Sequence, residues 1–152
     1  MECLYILPRL IDVNAKASIL REAKRILVAG RCVESEHREI LEEVAGKGGY
    51  VVLTACPEAE HVNMLGFKLA GILARGSYEE VAVLTVDGSL HCTQLHWMLE
   101  EVCKISGKCP ARRHIVIYKG KPREISVEAV KASRFLYRVD KLLGSSGGAP
   151  VD

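Results

Sequence analysis

The 152-residue sequence is poor in side-chain amides, which occur only at Asn14, Asn63 and Gln94. It has no apolar run near the roughly eighteen residues that a membrane-spanning helix needs. The N-terminus has an acidic residue at position 2 and no cleavage-site pattern, so it does not read as a signal peptide. We therefore expect a cytoplasmic protein. Few thermolabile amides beside many charged residues are typical of thermophile proteins, so we also expect a thermophilic source.

Several motifs are absent as well. Without a CxxC, neither a zinc ribbon nor a thioredoxin motif is available. Neither GxGxxG nor a Walker loop occurs. The formal net charge of +2 is too small to predict a nucleic acid or membrane partner. The length predicts a single domain over residues 1–143, followed by a disordered tail at 144–152.

The order of apolar runs predicts the fold. Strand-like runs at 26–29, 50–55, 81–86 and 113–118 alternate with helical patterns at 14–25, 35–47, 57–75, 89–106 and 126–143, the third of these with Pro57 in its first turn. Crossovers of about ten or more residues join parallel strands. We therefore expect a three-layer α/β/α sandwich with a four- or five-stranded, mostly parallel sheet, Rossmann-like or flavodoxin-like. A fifth strand would lie at the sheet edge over residues 4–11, interrupted by Pro8.

Residues 81–98 join the best-defined strand to the best-defined helix start. Between them lies the turn Asp87-Gly88-Ser89, with Ser89 positioned as an N-cap. His91 and Cys92 then fall in the first turn of the helix. Open α/β sheets place ligand sites at the carboxyl ends of their strands. The sequence therefore predicts a functional site at this edge.

The six cysteines sort by the end of the sheet that they reach. Cys32, Cys56 and Cys92 follow strands or lie in the next helical turn, so all three should lie at the carboxyl edge. Helix amides and dipoles there stabilise thiolates, which are nucleophiles and metal ligands. With His91 as fourth ligand, or His61 next, three thiolates complete a zinc site; they also suit an iron–sulfur cluster. Thiol redox chemistry with a partner protein is the other possibility, and packing as small buried hydrophobes is the structural alternative.

Cys103 and Cys109 belong to the opposite end. Cys103 lies eleven residues beyond Cys92 on the same helix, about 16 Å at 1.5 Å per residue. We expect a disulfide between Cys103 and Cys109 in a thermophile protein. Glu100 and Glu101 are expected on a solvated helix face, and His96 at the edge of the core.

Two other functions use the same region. Backbone amides around Gly30, Gly88 and Ser89 are placed to bind a nucleotide or another phosphate compound. Alternatively, the chain is an interaction domain that forms a homodimer through a helix face, with Trp97 at the contact.

The segment Cys32–Arg38 resembles the C-x5-R loop of the cysteine phosphatases, in which loop amides and the arginine hold phosphate around a thiolate. Glu34 and Glu36 would repel a phosphate dianion, and no glycine opens the loop. The resemblance covers seven residues. We therefore do not predict phosphatase chemistry.

Overall fold

The computed structural model describes residues 5–144. Its elements are α1 Ser18–Glu22, β1 Arg25–Gly30, α2 Arg31–Glu36, α3 Arg38–Gly48, β2 Val51–Ala55, α4 Val62–Arg75, β3 Glu80–Val86, α5 Leu90–Ser106, β4 Ala111–Tyr118, β5 Lys121–Ile125, α6 Val127–Ala132 and α7 Leu136–Leu142. The sheet has the order β2-β1-β3-β4-β5, with β5 antiparallel and the other neighbours parallel. The predicted α/β/α fold is confirmed. None of the described helices has the length and apolarity needed to cross a membrane.

The central strands β1 and β3 are buried on both faces of the sheet. On one face, α4 and α5 pack Leu65, Leu69, Leu95 and Leu99 against β1 and β3. On the other face, α2 and α3 contribute Val33 and Leu41 to a second cluster. Fully burying one such side chain stabilises the fold by about 2 kcal/mol. Successive side chains of β1 and β3 enter the two clusters alternately and so hold the three layers together.

The strand order creates a crevice between β1 and β3. The chain leaves β1 towards β2 on one side and leaves β3 towards β4 on the other. Ligands of open α/β sheets bind in such a crevice, beyond the carboxyl ends of the strands. Here the crevice is bordered by Gly30 at the end of β1 and by Val86 at the end of β3.

The helix predicted over 35–47 is two helices, α2 and α3, which meet at His37 (φ −137°, ψ 40°). Ser35 does not begin a helix, because its hydroxyl donates to the Cys32 carbonyl within α2. The helix predicted over 14–25 is reduced to α1, and the helix predicted over 126–143 is divided into α6 and α7. Ser126 caps α6 as expected, accepting from the Ala129 amide at 3.1 Å.

The fifth strand is not where the sequence predicts it. Residues around Pro8 make only an isolated bridge to Thr54, since proline has no N–H for a ladder. The fifth strand is β5, joined to β4 by Lys119 and Gly120 at φ 48° and 70°. Two consecutive positive φ angles are typical of a tight hairpin turn. The predicted tail, apart from Gly144, lies outside the described residues.

Candidate functional site

Cys32, Cys56 and Cys92 are free thiols at the carboxyl edge of the sheet. Cys32 is exposed in the first turn of α2, Cys56 directly follows β2, and Cys92 is buried in the first turn of α5. Burial raises the pKa of Cys32, and negative charge on Cys92 and Cys56 raises it further, so the three thiols lie close enough to interact electrostatically. The structure thus brings together the thiols that the sequence assigns to one edge.

Cys92 reaches across the crevice from α5 to β1. The Ser89 hydroxyl accepts its N–H at 3.2 Å, which confirms the predicted N-cap. A Cβ atom added to Gly30 would lie 3.3 Å from Cys92 Sγ. Glycine at the end of β1 therefore gives the sulfur room to approach the strand.

The environment of Cys32 is the reverse of what helix position alone predicts. Burial raises the pKa of its thiol, and the charges of Cys92, Cys56, Glu58 and Glu36 raise it further. The dipole of α2 does not offset burial and these charges, because the helix has only six residues and its neighbours are acidic. The expectation of a stabilised thiolate is therefore wrong for Cys32.

Cys56 lies in a turn rather than in a helix. Its N–H donates to Glu60 Oε1 at 3.0 Å, and Glu60 Oε2 accepts from Arg9 Nη2 at 3.0 Å. The helix predicted from Pro57 instead begins at Val62, so Pro57 lies in the turn before α4, and His61 is the N-cap of α4. His61 Nδ1 accepts the Asn63 N–H at 3.2 Å, which occupies the nitrogen.

His91, the first choice as a fourth ligand, contacts an acid. Its Nδ1 lies 3.8 Å from Glu58 Oε2, and both side chains are exposed. Within residues 5–144, no three Cys, His, Asp or Glu side chains are grouped so that they could hold a metal ion. The zinc or iron–sulfur site predicted from Cys32, Cys56, Cys92 and His91 is therefore not preformed.

The glycines of the phosphate alternative differ in accessibility. The space beside Gly30 is occupied by Cys92 Sγ, and the Ser89 hydroxyl is engaged as a cap. Gly88 is open, with φ 84° and no atom within 4 Å of a Cβ built on it. The phosphatase-like arginine, Arg38, lies 3.7 Å from Glu34 Oε1.

A buried polar chain runs between β3, α5 and β4. Thr85 Oγ1 lies 2.8 Å from His96 Nε2, and His96 Nδ1 lies 3.0 Å from His114 Nδ1. His114 Nε2 is 2.9 Å from Glu100 Oε1, which also accepts from Arg112 Nε at 2.8 Å. Glu100 is thus buried, and its expected place on a solvated face is wrong because His114 and Arg112 compensate its charge.

The sequence contains two signals for this buried polar chain. His96 and Glu100 are four residues apart and therefore lie on one face of α5. His114 sits at the start of the apolar run of β4, at an inward position where a polar side chain needs a partner. The two signals lie on separate elements, and only the parallel pairing of β3 with β4 joins them.

The predicted disulfide is present at the opposite edge. Cys103 and Cys109 are joined, with their Cα atoms 4.8 Å apart. Arg112 Nη1 lies 3.3 Å from Cys109 Sγ, so this guanidinium contacts both the disulfide and Glu100.

Trp97 lies at a surface formed by helices. Its indole N–H donates to Ser133 Oγ at 2.9 Å. A groove of about 600 Å³ runs between α4 and α5, with Phe67, Met98 and Ile105 among its lining residues. A homodimer through this face stays a prediction.

Comparison with known proteins identifies one related family. A family model described as a Rossmann-like domain matches residues 17–144. The match includes Cys32, Cys56 and Cys92, together with the crevice between β1 and β3. No curated protein and no solved structure matches the chain.

Proposed function

Because the chain belongs to the Rossmann-like domain family, whose doubly wound sheets bind ligands at the crevice where the strand order reverses, we propose that Cys32 and Cys92 form a redox-active dithiol at this crevice. The observation that carries the proposal is the position of buried Cys92, whose Sγ lies 3.3 Å from a Cβ atom built on Gly30, two residues before exposed Cys32. The electron acceptor is a disulfide, on a partner protein or a small molecule.

The chemistry is thiol–disulfide exchange. The Cys32 thiolate, formed by loss of its proton to solvent, attacks one sulfur of the acceptor disulfide and releases the other as a thiolate. Cys92, after losing its proton, attacks Cys32 Sγ and releases the second acceptor thiolate. A Cys32–Cys92 disulfide forms, the acceptor gains two electrons, and the two released protons balance its conversion to a dithiol.

The surrounding charges favour electron donation. Burial and the negative neighbours of Cys32 destabilise its thiolate. A dithiol whose thiolate form is destabilised favours its disulfide, whereas a stabilised reduced form makes a strong oxidant. The pair should therefore be a reductant. The same raised pKa makes Cys32 a slow nucleophile at neutral pH, so exchange should accelerate as pH rises.

A thiophilic metal centre is the second candidate. Three thiolates that repel one another would be relieved by a cation, which is the observation in its favour. Zinc or an iron–sulfur cluster held by Cys32, Cys56 and Cys92, with His91 as a further ligand, fits the donor chemistry. Such binding would have to draw the ligands together, since they are not grouped for a metal within residues 5–144.

The phosphate alternative has less support. Of its residues, Gly30 is occupied by the Cys92 sulfur and Ser89 is engaged as a cap, which leaves Gly88 open. Asp87 adds a negative charge beside Gly88.

Equilibration of anaerobically purified protein in dithiothreitol redox buffers, followed by alkylation and mass spectrometry, tests the proposal. We expect a Cys32–Cys92 disulfide that forms and disappears reversibly with the buffer potential. Cys56→Ser is the matched control and should retain it, whereas Cys92→Ser should abolish it. Failure of the pair to form at any potential would overturn the proposal.

Metal analysis of the same preparation separates the second candidate. Stoichiometric zinc or iron that is lost in both Cys56→Ser and Cys92→Ser would replace the redox function with a metal site. Metal below a tenth of stoichiometry supports the dithiol.

A further inference from the structure

A cavity of about 160 Å³ lies between α5 and α6, beside the end of β3. Its walls are partly apolar, with Val86, Val116 and Val130 among them. Its polar side chains are Thr85, Asp87, Thr93, His96, Trp97 and Ser133. At roughly 30 Å³ per water, this volume holds about five waters, so any ligand group that fills it is small.

The hydroxyl and indole donors of this cavity are already used by the protein. Thr93 Oγ1 donates to the Ser89 carbonyl at 2.9 Å. Trp97 Nε1 donates to Ser133 Oγ at 2.9 Å, and Ser133 Oγ donates in turn to the Val130 carbonyl at 2.7 Å. What these oxygens still offer a ligand is lone pairs.

The remaining hydroxyl, that of Thr85, is oriented by the buried polar chain. Glu100 is paired with Arg112 and is acceptor-only when ionised, so His114 Nε2 must donate to it. His114 Nδ1 then accepts from His96 Nδ1. His96 Nε2 is left as an acceptor, so the Thr85 hydroxyl donates to it. The Thr85 proton is thereby turned away from any ligand.

The charge of the cavity has one sign. Its lining contains no lysine or arginine. Burial, and then the neighbouring His114, lower the pKa of His96 to about 3, so His96 is neutral at physiological pH. Asp87 is exposed at the rim, and within residues 5–144 no side chain forms a hydrogen bond or ion pair with its carboxylate.

We propose that this cavity binds a small organic ammonium ion, with Asp87 supplying the counter-charge. The oxygens of Thr85 and Ser133 accept the N–H groups, the valines contact the alkyl part, and the Trp97 ring adds cation–π attraction. A phosphate or carboxylate ligand would meet acceptors and a negative charge. The proposal does not depend on Cys32 and Cys92, neither of which lines the cavity.

Titration with isobutylammonium, which has five non-hydrogen atoms, tests the proposal. Trp97 is the only tryptophan of the chain, so its fluorescence and its indole ¹H–¹⁵N resonance report on the cavity directly. We expect a saturable change in the resonance with isobutylammonium and at least tenfold weaker binding of isobutanol, its neutral counterpart. Acetate and phosphate at the same ionic strength should produce no saturable change.

Two variants locate the site. Asp87→Asn should weaken isobutylammonium binding at least fivefold. Glu128→Gln removes an equal charge from an exposed position on α6 outside the lining, and should leave binding within a factor of two. Asp87 is exposed, so neither change threatens the fold. Equal binding by Asp87→Asn and Glu128→Gln, equal affinity for isobutanol, or no saturable shift of Trp97 would each overturn the proposal.

Discussion

Helix α5 runs between two edges of the sheet, and its cysteine is a free thiol at one edge and part of a disulfide at the other. At its N-terminal end, Cys92 is a free thiol whose neighbour Cys32 is surrounded by other thiols and carboxylates. At its C-terminal end, Cys103 is joined to Cys109, and Arg112 contacts the sulfur. Whether a cysteine of this helix is a free thiol or part of a disulfide therefore depends on the charge and position of its neighbours rather than on its place in the helix.

Loss of Glu100 should lower the free energy of unfolding the most, because it breaks the buried polar chain towards the edge that holds the disulfide. Glu100→Ala leaves Arg112 and the buried His114 without their carboxylate. Removing one partner of a buried pair costs about 3–5 kcal/mol of unfolding free energy. Glu101→Ala, which loses only solvent-accessible pairs with Lys104 and with the partly buried Arg134, should cost less than about 1 kcal/mol. Urea unfolding measures both, and equal costs would contradict the distinction.

Acid should destabilise the protein through His96. Its folded pKa lies at about 3 against 6.5 for an ordinary histidine, because of burial and then His114. Between these values the unfolded state binds more protons, so the stability present above pH 6.5 is lost as pH falls towards 3. The slope from His96 is about 1.4 kcal/mol per pH unit. Urea unfolding from pH 7 to pH 4 measures this slope. A free energy of unfolding that does not change with pH would contradict a neutral His96 in the buried polar chain.

Removal of the disulfide should have a moderate effect. The bridge closes a short loop, since its cysteines are six residues apart. Replacing both Cys103 and Cys109 with serine should cost about 2 kcal/mol on the loop-entropy estimate. Cys32→Ser at the opposite edge should change stability by less than about 0.5 kcal/mol, because Cys32 is exposed. Thermal unfolding compares the two variants. An equal loss of stability in both would contradict the difference between the two edges.

The smallest effect concerns the rate at which Cys32 is alkylated. Burial first, and then Cys92 and Cys56, raise the pKa of its thiol. At pH 7.5 iodoacetamide should therefore modify Cys32 more slowly than an unstructured peptide thiol. Cys92→Ser should accelerate the reaction a few-fold, and more than Cys56→Ser, because Cys92 makes the larger contribution. Peptide mapping follows the rate, and no acceleration in either variant would exclude interaction among the thiols.

Local sequence signals predict much of the fold and part of the site. The strand–helix alternation, the Ser89 cap and the Cys103–Cys109 bridge each depend on residues near one another in the chain, and all three are present. The α2–α3 break and β5 were missed because Ser35 bonds within α2 and because Lys119 adopts a positive φ that is uncommon outside glycine.

The properties that arise from long-range packing could not be predicted. The raised pKa of Cys32 depends first on burial in the folded chain and then on the charge of Cys92, which is sixty residues away in sequence. The burial of Glu100 requires His114 and Arg112 on a neighbouring strand. Helix position predicts the opposite outcome in both cases, because burial and the charges that the fold brings close outweigh the helix dipole and the local pattern.

The two outer strands of the sheet also bear on how copies of the chain meet. An uncovered strand offers free backbone groups to another molecule and so invites aggregation. The outer side of β2 is occupied by the segment around Pro8 and Leu10, which exchanges two backbone hydrogen bonds of 2.8 Å with Thr54. On the far side, β5 has Pro122 between charged residues. Neither border favours β-sheet extension, so deleting residues 5–11 should expose the outer side of β2 and increase self-association through it, which sedimentation at rising protein concentration measures.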